Sequence, residues 1–228
     1  MEILKTKKTS TELYKDFDKL FGAAMIEMGY QRGLNYFRRP EYYKRVTNDG
    51  LFATVCNLTS RDYTGGININ MHVGVAHDKS VALLCKLTEE LRVRSYKQIL
   101  PTETQYGIWV LDKGRLNVNN TEQTLKTTSD VVPSANRMIY YVKTLAEPFF
   151  SKFVSLDYYL EYRKNIAVNA DRDHIVPIIY YYLGRKQDAI DYIDSRLHDP
   201  KRKGYTDIND PVFLNNFYSL PEHYSETK

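Results

Sequence analysis

The chain has 228 residues, 43% of them hydrophobic and 26% charged, and a net charge of +4 from 32 Lys and Arg against 28 Asp and Glu. That hydrophobic share excludes a disordered chain, and a small positive excess spread along the sequence does not by itself indicate nucleic acid. The length is long for one domain and short for two, so a single domain over 1–228 is expected, a sheet-based core with an appended helical layer.

The first element is a helix from about Thr9 to Gly29. Leu13, Phe17, Leu20, Phe21, Ala24, Met25 and Met28 recur at three- and four-residue steps and form one apolar stripe. Thr9 and Glu12 have the spacing of a capping box, and Gly29 can supply the left-handed turn that ends the helix. Strands follow over Tyr30–Phe37 and Glu41–Thr47, and Asp49-Gly50 marks a two-residue hairpin into Leu51–Thr59. After a loop over Ser60–Gly66, the segment Ile67–Val75 alternates Ile67, Ile69, Met71, Val73 and Val75 with Asn68, Asn70, His72 and Gly74. A period of two means a half-buried strand, with the amides and the histidine turned away from the core. Ser80–Leu91 reads as a helix, and Gln105–Leu111, with Trp109, as a further strand that Arg115–Val118 can pair across a turn at Lys113-Gly114.

From about Pro133 the strand signals stop. Met138, Ile139, Val142, Leu145, Ala146 and Phe149 keep helical spacing, with Pro148 expected to kink or end the helix. Ser155 is placed to cap a short helix through Leu160 to Arg163. Asp171–Leu183 and Lys186–Leu197 form a helical hairpin turning at Gly184-Arg185, with Pro177 tolerated in a first turn. The polar tail after Lys201 carries Phe213, Leu214, Phe217 and Tyr218, side chains suited to docking it on the body. The fold class is therefore α+β: an N-terminal helix and antiparallel sheet with helices over 9–120, a helical half over 130–200, and a docked tail over 201–228.

Cys56, in an apolar strand, and Cys85, in an apolar helix, read as free buried thiols. The lysine-rich start, Met1 to Ser10, has no signal-peptide pattern, and no apolar run is long enough to span a bilayer. A cytoplasmic location and no membrane partner are expected.

No nucleotide-binding, zinc-protease or nucleophile-elbow motif is present, so no catalytic residue is assigned and the chain is expected not to be an enzyme. His72, His77 and Cys56 lack the spacing that pre-forms a metal site, and no cofactor is expected. The segments Tyr30-Gln31-Arg32, Tyr36-Phe37-Arg38-Arg39 and Tyr42-Tyr43-Lys44-Arg45 interleave rings and cations, as phosphate-holding, base-stacking surfaces do. Ordinary strand alternation, rings inward and cations outward, produces the same pattern.

A capped helix ending Met28-Gly29-Tyr30, then Arg32-Gly33-Leu34-Asn35-Tyr36-Phe37-Arg38-Arg39, a hairpin, and Gly66-Ile67-Asn68-Ile69-Asn70-Met71-His72-Val73-Gly74-Val75 resembles the bacterial family filed as domain of unknown function 4304. Ala146-Glu147-Pro148-Phe149-Phe150, with Phe153 and Ser155-Leu156, is similar to that family's ending, so the likeness covers roughly 9–160. It implies binding rather than chemistry, because related small domains are discussed as immunity or toxin-neutralising proteins. A protein partner, a toxin or effector, is thus the first expectation, and nucleic acid held by the Arg/Tyr strands the alternative. The expected surface is the polar sheet face and its rim: Arg38, Tyr42, Arg45, Asn68, Asn70 and His72.

Overall fold

In the computed structural model the described residues are 8–33, 42–88, 104–107, 122–166, 174–198 and 210–222. They form an α+β fold around a six-stranded sheet. The chain divides into two compact units, one of Met1–Arg45, Ala53–Gly74 and Gln105–Ser151, the other of Val46–Phe52, Val75–Thr104 and Lys152–Lys228. Each unit draws on both the strand-rich and the helical part of the sequence.

The first unit begins with α1 (Ser10–Glu27). Its capping box is formed: the Thr9 backbone N–H donates to Glu12 Oε2 at 2.8 Å, and the Glu12 N–H donates to Thr9 Oγ1 at 3.3 Å. Gly29, at φ 83°, turns the chain out of the helix, a conformation only glycine adopts without strain. The stripe buries Leu13, Phe17, Phe21 and Met25, while Leu20 stays 42% exposed at its margin.

Strands β1 (Gln31–Gly33) and β2 (Tyr42–Val46) pair antiparallel, Arg32 opposite Tyr43. β3 (Leu51–Arg61) and β4 (Ile67–His77) form a long hairpin, closed at its tip by the Asp62 N–H on the Gly66 carbonyl. The strands run on to Arg61 and His77, past the expected ends at Thr59 and Val75. Strand order is β1-β2-β3-β4-β5, with β5 at Thr104–Gly107, and β6 (Gln123–Leu125) also pairs β4, Ile67 opposite Leu125 and Ile69 opposite Gln123. β6 is absent from the sequence reading because three residues are too few for a period-two pattern. The expected strand over Arg115–Val118, the remainder of the one at Gln105–Leu111 and the end of the helix at Ser80–Leu91 lie outside the described residues.

After a single 3₁₀ turn at Thr128–Asp130, α3 (Val131–Tyr141) packs on α1 and buries Ala135 and Met138. It continues through a π-helical turn at Val142–Ala146 into α4 (Glu147–Phe150). Proline explains the widened turn: Pro148 has no N–H for the carbonyl four residues back, and its ring crowds that carbonyl. The Glu147 N–H bonds the Val142 carbonyl five residues back instead. Pro148 is thus absorbed, and the helix ends three residues later at Ser151.

Among the described residues, the second unit contains the turn that closes the β2–β3 hairpin, the ends of β3 and β4, α2 (Asp78–Leu87) and four further helices. Asp49 and Gly50 both have positive φ, 49° and 72°, the two left-handed positions of a mirror-image hairpin turn. Ser155 caps α5 (Leu156–Ile166), its Oγ accepting the Tyr158 N–H at 3.1 Å. The helical hairpin is α6 (Ile175–Tyr182) and α7 (Lys186–Leu197), turning at Gly184 with φ 72°. Pro177 stands third in α6, where no helical donor is lost. α6 packs against α2, α5 and α7, and every one of its residues from Ile175 to Tyr181 is buried, which is why it is apolar on all sides. The tail forms α8 (Pro211–Tyr218), capped by Asp210, with Phe213 and Phe217 fully buried.

Candidate functional site

Within the first unit, β4 has the alternation read from its sequence. Ile69, Met71 and Val73 are at most 1% exposed, whereas Asn68, Asn70 and His72 are half-buried on the opposite face. Asn68 Oδ1 accepts from Thr124 Oγ1 at 2.8 Å, and Asn70 Nδ2 donates to Glu122 Oε1 at 3.1 Å. Thr124 and Glu122 therefore extend the row of polar groups alongside β4. Asn70 Oδ1 is buried with no hydrogen bond. Burial lowers the His72 pKa, so the ring is neutral near neutral pH and carries one donor and one acceptor.

On β2, Tyr43 packs edge-on against Phe21 of α1, with 5.5 Å between ring centroids, and its hydroxyl donates to Asp18 Oδ1 at 3.0 Å. Strand alternation then turns Tyr42 to the other face, the one that carries Asn68, Asn70 and His72.

Arg45 shares the face of Tyr43, three residues from Tyr42, and so is not part of the row. Its Nη2 donates to Glu147 Oε2 at 2.6 Å and its Nη1 to the Met28 carbonyl at 3.3 Å. The guanidinium lies 4.6 Å from the centre of the Tyr30 ring, and the Tyr30 hydroxyl donates to Glu147 Oε1 at 2.8 Å. One carboxylate thus satisfies the arginine and the tyrosine together; burial and that carboxylate push the Tyr30 hydroxyl well above its usual pKa. Arg32 pairs with Asp18 in the same manner. Arg38 lies outside the described residues.

The expected set therefore separates. Tyr42, Asn68, Asn70 and His72 share one face, and Arg45 serves the opposite one. Sequence reading missed Glu122, Thr124 and Glu147. The first two belong to a segment too short to show a pattern, and Glu147 comes to Arg45 from 102 positions away, a pairing no local signal reports.

Cys56 is a buried free thiol, its pKa pushed up to about 12 by burial, which leaves it protonated and inert. Among the described residues no three His, Cys, Asp or Glu side chains are grouped to hold a metal ion, and no helix is long and apolar enough to cross a membrane.

Comparison with known proteins finds no matching family, no matching curated relative and no matching solved structure.

Proposed function

We propose that this chain is a non-enzymatic protein-binding module, an immunity-type protein that neutralises a toxin or effector by occluding it, and that the β4 polar face is its contact surface. The observation that carries the reading is the row of Tyr42, Asn68, Asn70 and His72 opposite the helix-covered face. It combines an aromatic anchor with adaptable amides and a neutral imidazole, groups suited to a protein interface of matched hydrogen bonds. The resemblance of 9–160 to the domain of unknown function 4304 family points the same way. The alternative, nucleic acid held by the Arg/Tyr strands, is weakened by the carboxylates of Asp18 and Glu147, which engage Arg32 and Arg45.

The test is capture by the tagged protein from its own cell extract at low and at high salt. A protein partner retained in high salt, and lost from an Asn68→Ala/His72→Ala variant with an unchanged melting temperature, is the expected result. Recovery of nucleic acid that salt releases would replace this reading with the alternative. Asn70→Ala separates a contact residue from a core residue: a loss of several degrees in melting temperature would place its role in the interior.

A further inference from the structure

The second unit contains a buried histidine that the proposed binding surface does not use. His77 is the last residue of β4 and the N-cap of α2, and it is 3% exposed. Its Nδ1 lies 2.8 Å from Ser80 Oγ, a side chain with no exposed surface. Its ring stands edge-on to Tyr182, the last residue of α6, at 5.3 Å between centroids and 84° between planes. The Tyr182 hydroxyl donates to the Lys79 carbonyl at 2.9 Å, so the same tyrosine also ties α6 to the first turn of α2. The ring is also packed against Gly50: a Cβ there would sit 3.2 Å from both Cδ2 and Nε2. The Asp78 N–H donates to the Gly50 carbonyl at 3.3 Å and closes the arrangement. Three pieces that are remote in sequence, the Asp49-Gly50 turn, the start of α2 and the end of α6, thus meet on one imidazole.

Among the described residues, the charged and titratable groups facing that ring are few. From the turn there is Asp49, from α2 there are Asp78 and Lys79, and from α6 the tyrosine Tyr182. Among the described residues no carboxylate bonds either ring nitrogen. A cation formed here would be buried, would lie beside Lys79, and would stand at the positive end of the α2 dipole. It would also remove the Nδ1 lone pair wherever Ser80 is the donor, leaving a fully buried hydroxyl to find another partner.

We infer that His77 is an acid-sensitive latch, whose neutral ring holds the Asp49-Gly50 turn and the end of α6 on the start of α2, and whose protonation releases them. Burial, with Lys79 adding to it, lowers its pKa from 6.5 to about 4, against the opposing pull of Asp78 and Asp49. The folded value lies below the unfolded one, so the latch is at full strength above pH 6.5 and weakens as the pH falls through that range toward 4. The difference corresponds to roughly a hundredfold or more in proton affinity between the closed and released states.

The test follows the His77 ring and the Gly50, Lys79 and Tyr182 amides by NMR from neutral to acid pH, in the wild type and in His77→Gln. In the wild type the ring should titrate well below its ordinary value, and the Tyr182 amide should shift or broaden with the same midpoint. In His77→Gln that step at Tyr182 should vanish, whereas Asp49→Asn and Asp78→Asn, which remove the carboxylates that titrate nearby, should keep it. A ring titrating near its ordinary value with Tyr182 unmoved would overturn the latch even if the glutamine variant fails to fold. A His77→Gln protein that retains the acid step would overturn it as well.

Discussion

Asn57 lies in β3 with both amide atoms buried and neither in a hydrogen bond. An interior amide without partners carries its full desolvation cost, and leucine has nearly its shape. Asn57→Leu should therefore stabilise the protein by about 1–2 kcal/mol, seen as a higher midpoint in denaturant at unchanged slope. A lower midpoint would mean that the amide is bonded in solution. Gly22 gives the opposite case, because a Cβ there would sit 2.6 Å from the Tyr43 hydroxyl. Tyr43 is wholly buried, packed on Phe21 and bonded to Asp18, so it has little room to give. Alanine gains up to ~1 kcal/mol of helix propensity, yet Gly22→Ala should still cost about 1–3 kcal/mol. Adding Tyr43→Phe should recover part of that loss, and additive effects in the double-mutant cycle would show that the two residues do not meet.

Where elements begin and end, the structure follows local chemistry closely. Thr9 with Glu12, Ser155, Asp210 before Pro211, and the positive-φ glycines at 29, 50 and 184 act within a few residues of chain, and the first two and the glycines are legible for that reason. Asp130 belongs with them: its carboxylate accepts from the Lys126 and Thr127 N–H groups at 2.9 and 2.7 Å. These bonds hold its pKa below the usual value of 3.8. Its contribution is therefore complete above that value and is lost as the pH falls through the lower, folded one. Asp130→Ala should cost about 1 kcal/mol at neutral pH. The variant's stability should also depend less on pH at the acid end than the wild type's, and parallel acid limbs would contradict the capping role. Between β4 and β6 the backbones approach so closely that a Cβ on Gly66 would come within 2.8 Å of the Leu125 carbonyl. Gly66→Ala should lower the melting temperature by several degrees, because backbone on both sides cannot move aside as a side chain can.

At the scale of whole units, the second one depends on its C-terminal segment. Phe213 and Phe217 are fully buried, Phe217 packs edge-on against Tyr181, and Asn216 donates to the Leu87 carbonyl at the end of α2. Burial of a phenylalanine is worth about 1.5–3 kcal/mol, so ending the chain before Asp210 should remove several kcal/mol and expose an apolar surface that binds a hydrophobic dye. A truncated protein with an unchanged melting temperature would show that the tail only rests on the surface. The sequence by itself determined the fold class, α1, the Asp49-Gly50 hairpin between β2 and β3, the α6–α7 hairpin and the inward and outward sides of β4. Each of these is written in hydrophobic periodicity or in a turn residue, and neither needs a distant partner. Only the tertiary structure decided that Arg45 belongs to Glu147 rather than to the row of Tyr42, Asn68, Asn70 and His72, that β6 joins β4, and that three remote segments close on His77. Those outcomes depend on which segments pack together, and side chains a hundred positions apart leave no periodic trace of their meeting.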